Sequence, residues 1–302
     1  MNFKKIISLI SILLLTSLIF FYFIPINKIN FTAPQSNSNF SATGNNSMQY
    51  YPNMRFPETN ISYKISGCPL QKENEMESAF GIIENLTTLR FYPVTDGEEI
   101  SVTCEEENIP GENFGFFIAG EGGPTNITKS GNFAVISYGQ ILLIRNSDCP
   151  KPNIATHELL HVLGFQHSTN PENIMYNVTN CDQTIGEDTI QLINNLYSTP
   201  SYPDLAFENV SATMSGRFLN LDLTVTNEGL TDAGNSILEI YADGNLAKEL
   251  NLEPIKSGYG RIIHMENIWV PQINVKEIEL DIASNFSELD KENNKINLEI
   301  NQ

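Results

Sequence analysis

The sequence predicts two folded domains of different class, a mixed α+β domain over residues 56–199 and an all-β domain over residues 204–302, behind an N-terminal membrane segment. Three observations carry this reading. An uncharged apolar run extends from Ile6 to Ile26. Ser198-Thr-Pro-Ser-Tyr-Pro203 punctuates the chain, and the apolar periodicity settles to two after it. Three of the four histidines in the 302 residues fall within residues 157–167. Apolar residues make up 41 % of the chain and charged residues 18 %, so most of it can bury a core. The net charge is −19, from 17 basic and 36 acidic residues. Four of the basic residues and none of the acidic ones precede residue 56, leaving 13 against 36 beyond it. An acidic folded part excludes nucleic acid as a partner and is held off an anionic membrane surface.

Each segment has its own signal. In residues 1–27, Lys4 and Lys5 precede the apolar run, which reaches the ~20 residues a membrane-spanning helix needs. A secretory signal core is about 7–15 residues and ends at a small-residue cleavage site. Here the run is longer and ends in the bulky stretch Phe21 to Pro25, which favours a retained anchor over a cleaved signal. The lysines place the short N-terminus in the cytoplasm, and the remainder is exported, membrane-bound or secreted. Residues 28–55 are Ser/Asn-rich without apolar period and read as a flexible spacer. Within 56–199, Ile61 to Ser66 and Ile100 to Cys104 alternate like strands, and Glu73 to Leu86 places Met76, Ala79, Phe80, Ile83 and Leu86 at helical spacing. Gly111 to Gly123 reads as a long loop, Phe133 to Ile144 as a strand interrupted by Gly139, and Asn153 to Leu163 and Gly186 to Tyr197 as helices. Residues 200–203 are the linker. Beyond them Leu219 to Val225, Leu238 to Ala242, Ile278 to Ile282 and Ile296 to Ile300 alternate, and Asp243-Gly244 signals a hairpin, as in a β-sandwich.

Export gives the cysteines meaning, because an oxidising compartment pairs them. Cys68, Cys104, Cys149 and Cys181 allow three pairings; Cys68–Cys104 with Cys149–Cys181 closes only local loops and is favoured. Glycosylation sequons at Asn30, Asn39, Asn45, Asn60, Asn85, Asn126, Asn177, Asn209 and Asn285 fit an exported glycoprotein.

The chemistry concentrates in His157-Glu-Leu-Leu-His-Val-Leu-Gly-Phe-Gln-His167. On a helix, His157 and His161 are one turn apart on one face, so both imidazoles can reach one ion. Glu158 stands beside that ion without having to ligate it. Gly164 lets the chain leave the helix left-handed and brings His167 back as a third ligand. Three nitrogen ligands leave a fourth zinc position open to water, whose pKa then falls to about 7.

These residues resemble the metzincin signature, His-Glu-x-x-His-x-x-Gly-x-x-His followed by a Met-turn, with Asn173-Ile-Met-Tyr176 as the turn and Met175 its methionine. The stretch from His167 to Tyr176 and the closing helix from Ile185 to Tyr197 are most similar to the matrixin branch, over about Phe56 to Thr199. The resemblance implies a zincin fold, a twisted mixed sheet with three helices. It implies one catalytic Zn2+ held by His157, His161 and His167, Glu158 as general base, and a protein or peptide substrate lying along an edge strand at Phe133 to Ile144. Two departures stand out. Ser66-Gly-Cys-Pro-Leu70 lacks the cysteine context that caps zinc in matrixin pro-segments, and no histidine is left in this domain for a second zinc. Glu112 and Glu121, by the Gly-rich stretch, are the candidates for Ca2+. Pro203-Asp-Leu205, Thr226-Asn-Glu-Gly229, Trp269 and Glu288 to Asn294 resemble the cell-adhesion-related (CARDB-like) domain, implying an immunoglobulin-like sandwich that docks a cell-surface component. There the acidic run Glu288 to Glu292 reads as a solvated turn and His264 as a surface or packed residue without co-ligands. Two functions follow: an exported zinc endopeptidase, or an adhesion or structural protein using the metzincin domain as a binding module.

Overall fold

A computed structural model describes residues 10–16, 28–32, 48–105, 118–146, 149–272 and 274–300. The anchor run from Ile6 to Ile26 lies mostly outside them, as does Glu112; of the run, residues 10–16 are helical. Among the described residues no helix is long and apolar enough to cross a membrane. The chain divides into two compact units, Phe40–Pro203 with Glu228–Thr231, and Met1–Asn39 with Asp204–Asn227 and Asp232–Gln302.

Strand β1 (Lys28–Thr32) belongs to the second unit. The first unit begins with β2 (Met54–Arg55) and β3 (Asn60–Ser66), followed by helix α1 (Leu70–Leu86). Met76, Ala79, Phe80 and Ile83 line its buried stripe. Leu86, on the same period, is exposed because the helix stops there, with the Thr87 N–H donating to the Ile83 carbonyl. Strands β4 (Arg90–Pro93), β5 (Ile100–Cys104), β6 (Gly120–Ser130) and β7 (Phe133–Leu143) precede α2 (Asn153–Val162) and α3 (Glu187–Ser198). The sheet runs β2-β7-β5-β3-β4 with parallel pairings, and β6 pairs antiparallel with β7.

Three expectations change here. Phe133 to Ile144 is not an edge: β7 is flanked by β6 on one side and by β5 and β2 on the other, and β6 is the outermost strand. The Gly-rich stretch is not loop throughout, since Gly120, Gly122 and Gly123 lie in β6. Gly139 does not interrupt β7 either; a Cβ there would stand 2.5 Å from Val162 Cγ1 on α2. Gly120, Gly122 and Gly139 are there for close packing against α2, not for turning.

Two buried cations close the unit. Lys72 donates to the carbonyls of Glu105 (2.5 Å) and Ile144 (3.0 Å), where β5 and β7 end. Arg55, 1 % exposed, donates to the carbonyls of Phe56 (3.0 Å), Pro57 (2.8 Å), Thr199 (3.0 Å) and Leu196, and its guanidinium lies 4.2 Å over the Tyr197 ring. The first strand is thereby stitched to the last helix. The disulfides are Cys68–Cys104 and Cys149–Cys181, with Cα separations of 4.9 and 5.1 Å. Cys68 is thus no free thiolate.

The second unit is all antiparallel: β8 (Leu205–Ser215), β9 (Phe218–Asn227), β10 (Ser236–Ala242), β11 (Asn245–Leu252), β12 (Gly260–Trp269), β13 (Glu277–Ala283) and β14 (Lys295–Ile300), in the order β11-β10-β13-β14-β1-β8-β9-β12. Leucine and isoleucine from β9, β10, β13 and β14 meet in one core. Asp243 and Gly244, at φ 46° and 74°, make the β10–β11 hairpin, the left-handed pair that Asp-Gly favours. Residues 28–32, inside the stretch that the sequence reads as spacer, supply β1 instead, with Phe31 buried in this core. Glu288 departs from the solvated-turn reading: 9 % exposed, it accepts from the Leu205 N–H (2.9 Å), Asn294 Nδ2 (2.8 Å) and the Ser284 hydroxyl. Trp269 is half exposed, and His264, on the open face of β12, pairs with Asp222 and Glu266.

Candidate metal centre

Every residue of α2 is buried, so its imidazoles have no water to turn to and must find partners within the protein. His157 Nδ1 lies 2.6 Å from the Ile174 carbonyl and His161 Nδ1 2.8 Å from the Phe165 carbonyl. Because a carbonyl only accepts, both Nδ1 atoms carry the proton, and both Nε2 lone pairs are free. Gly164, at φ 95°, turns the chain out of the helix, with Met54 packed where its Cβ would be, and His167 returns to the same point. The Nε2 atoms stand 2.9 Å (His157–His161), 3.3 Å (His157–His167) and 3.2 Å (His161–His167) apart. His157 and His161 are each 5 % exposed, whereas His167 faces solvent, which opens the centre on one side.

The donor set fits a metal. The His157 and His161 lone pairs facing each other at 2.9 Å repel unless a cation lies between them, and His167 Nε2 stands within 3.3 Å of both. A tetrahedral ion with nitrogen ligands at about 2.0–2.1 Å would space them about 3.3–3.4 Å apart. Burial lowers all three imidazole pKa values, that of His161 to about 4 with His157 as the next cause, so each is held in the neutral, ligating form. Among the described residues this is the one such group of histidine, cysteine and carboxylate side chains.

Glu158, 6 % exposed, is pushed up to about 8 by burial and then by the charge of Glu121; a cation among the imidazoles would act in the opposite direction. Strand β6 crosses this residue at close range. A Cβ on Gly120 would come 2.8 Å from Glu158 Cγ, and one on Gly122 would overlap the Glu158 carbonyl oxygen. Glu121, a Ca2+ candidate in the sequence, instead acts on Glu158 through its charge, and no calcium-type cluster accompanies it among the described residues.

Met175 is 2 % exposed, and its turn reaches the centre through the neighbouring Ile174 carbonyl that holds His157. The loop after the turn is tied back to the start of α2 by Cys149–Cys181 and by Asn153 Nδ2 donating to the Asn180 carbonyl (2.7 Å). Gln183 braces that loop from within, donating to the Val178 carbonyl (2.9 Å) and accepting from the Asn180 N–H (3.0 Å).

The sequence reading omits one residue. Residues 48–50 run antiparallel to 164–166, with Gln166 N donating to the Met48 carbonyl (2.8 Å) and Tyr50 N to that of Gly164 (2.9 Å). This sets the Tyr50 hydroxyl oxygen 2.9 Å from His161 Nδ1, where it shares the proton given to Phe165. Tyr50 falls in the Ser/Asn-rich stretch, and no period or motif marks it.

Comparison with known proteins agrees with this geometry. The matrixin family model matches residues 55–198, and the CARDB model matches residues 202–298. No curated protein matches the chain. A similar solved structure is the CARDB domain of a Pyrococcus furiosus protein in complex with di-metal ions, 18 % identical, covering 32 % of this chain and 88 % of that one with a TM-score of 0.26. Matrixins are zinc metallopeptidases, and the centre built by His157, His161 and His167 lies inside the matched segment. Residues 55–198 are a matrixin-family domain, and residues 202–298 are a CARDB domain.

Proposed function

We propose that the protein is an exported, membrane-anchored zinc endopeptidase. The observation that carries this is the convergence of three neutral imidazole Nε2 atoms within 3.3 Å beside the buried carboxylate of Glu158. His157, His161 and His167 would hold Zn2+, which when bound polarises the scissile carbonyl and acidifies water. Glu158 takes the proton from the attacking water on a carboxylate oxygen and returns it to the leaving amine nitrogen. The Ile174 and Phe165 carbonyls and the Tyr50 hydroxyl keep the imidazole rings in register by holding their Nδ1 protons. An extended peptide adds to the outer side of β6, whose glycines bring that edge up to Glu158. The CARDB domain suggests adhesion-related binding, so it docks the enzyme to a cell-surface component.

Cleavage of a peptide library blocked at both ends tests this. Cuts at internal bonds, abolished by a chelator and restored by zinc, are expected. Zinc binding without any cleavage would favour the adhesion-module reading, and cleavage only of a matching library with unblocked ends, by trimming from them, would exclude an endopeptidase.

A further inference from the structure

Strand β1 lies between β14 and β8 in the sheet order. On one side Phe31 and Thr32 pair with Ile300 and Glu299; on the other, residues 28–32 pair with 215–211. The strand alternates as an internal sheet strand must, with Ile29 packed against the core, Asn30 exposed and Phe31 1 % exposed. The CARDB match begins at residue 202, so this strand comes from more than 160 residues before the matched domain. One residue, Asn27, separates it from the end of the apolar run at Ile26.

We infer that the slot between β8 and β14 is a strand-acceptor site for the chain's own segment Lys28–Thr32, and that it seats the CARDB domain on the membrane anchor. The inference rests on the anchor reading proposed above. The peptidase segment is then an insertion between two strands of one domain, β1 and β8. Main-chain pairing on both sides of β1 and the buried Phe31 ring supply the hold. A cut between residues 33 and 47 therefore does not free the enzyme from the membrane.

The test uses the full chain in membranes, with a recognition sequence for a specific protease inserted between Asn37 and Ser38. After complete cutting, the fragment carrying residues 48–302 is expected in the membrane pellet. Phe31→Asp should lower the retained fraction roughly tenfold or more, since one buried aromatic is worth more than a factor of ten in an equilibrium. Release of the fragment from the uncombined wild-type strand on cutting would overturn the inference. An uncut chain that is already soluble would instead defeat the anchor reading. A second variant covers misfolding of Phe31→Asp and tests the slot apart from the membrane. Asn30 and Thr213 are register partners, and antiparallel partners lie about 4.5–5.5 Å apart at Cα, within disulfide range. Asn30→Cys with Thr213→Cys should cross-link spontaneously, whereas Asn30→Cys with a cysteine at exposed Asn267 should not; no preference between the two pairs would overturn the inference.

Discussion

A carboxylate one residue from a metal-binding imidazole works only if nothing displaces it, and here the restraint comes from residues without side chains. Gly122→Ala puts a methyl group into the Glu158 carbonyl, which neither β6 nor α2 can yield without shifting. It should cost about 1–3 kcal/mol in unfolding free energy and most of the peptidase activity. Gly123, the next residue, has open space at its Cβ, so Gly123→Ala should fold and cleave as the parent does. Equal effects of the two in denaturant titration and peptide hydrolysis would contradict the close-approach argument. Tyr50→Phe leaves the ring and removes the oxygen facing His161. Losing such an outer partner typically weakens metal binding about 10–100-fold; the low end is expected because the Phe165 carbonyl remains, measured by competition with a chelator. On the β12 surface, hydrogen bonds from Asp222 first and Glu266 second raise the His264 pKa. A raised pKa means that its small stabilising contribution is present below pH ~6.5 and fades as pH rises through the folded value. Asp222→Asn should bring the His264 titration, followed by NMR, back towards the ordinary value.

At the scale of elements, the same parts of the chain were legible for different reasons. α1 announces itself because a buried helical stripe repeats every three or four residues, whatever else the fold does. The candidate metal ligands are legible by spacing, since two sit one turn apart on α2 and the third follows a glycine turn six residues on. β6 was hidden because glycine is read locally as loop, while its reason here is the approach of Glu158 from another element. β1 was hidden by its five-residue length and by pairing with strands that begin far along the sequence. Tyr50 was hidden likewise, its partner lying 111 residues away. Two elements are held by covalent or charged stitches with measurable weight. Cys149–Cys181 closes a 32-residue separation and pins the loop after the Met-turn to the head of α2. Replacing both cysteines by serine should cost about 2–4 kcal/mol and loosen substrate preference more than zinc content. Arg55→Met keeps bulk but removes the guanidinium donor from the Thr199 carbonyl and leaves that of Pro57 with the Ser201 hydroxyl alone, so a loss of about 2 kcal/mol or more is expected from denaturant unfolding.

Across the whole molecule, acidity and topology point the same way. Residues 56–302 carry 36 acidic against 13 basic residues, while everything before residue 56 that is charged is basic. On the proposed anchored reading, a basic segment beside the apolar run and an acidic remainder would keep the catalytic unit near, yet repelled from, an anionic surface. The division of labour is legible as well: the matrixin segment holds the only described cluster of metal-binding side chains, and the CARDB segment holds an apolar core and a structural carboxylate–amide network around Glu288. The central claim is that Glu158 moves protons for a zinc ion that it does not bind. Glu158→Gln, purified beside the parent chain, decides it when zinc content and protein cleavage are measured on the same sample. One zinc per chain in both proteins, with cleavage lost only in the variant, is the predicted result; a variant that still cleaves, or that has lost its zinc, contradicts it.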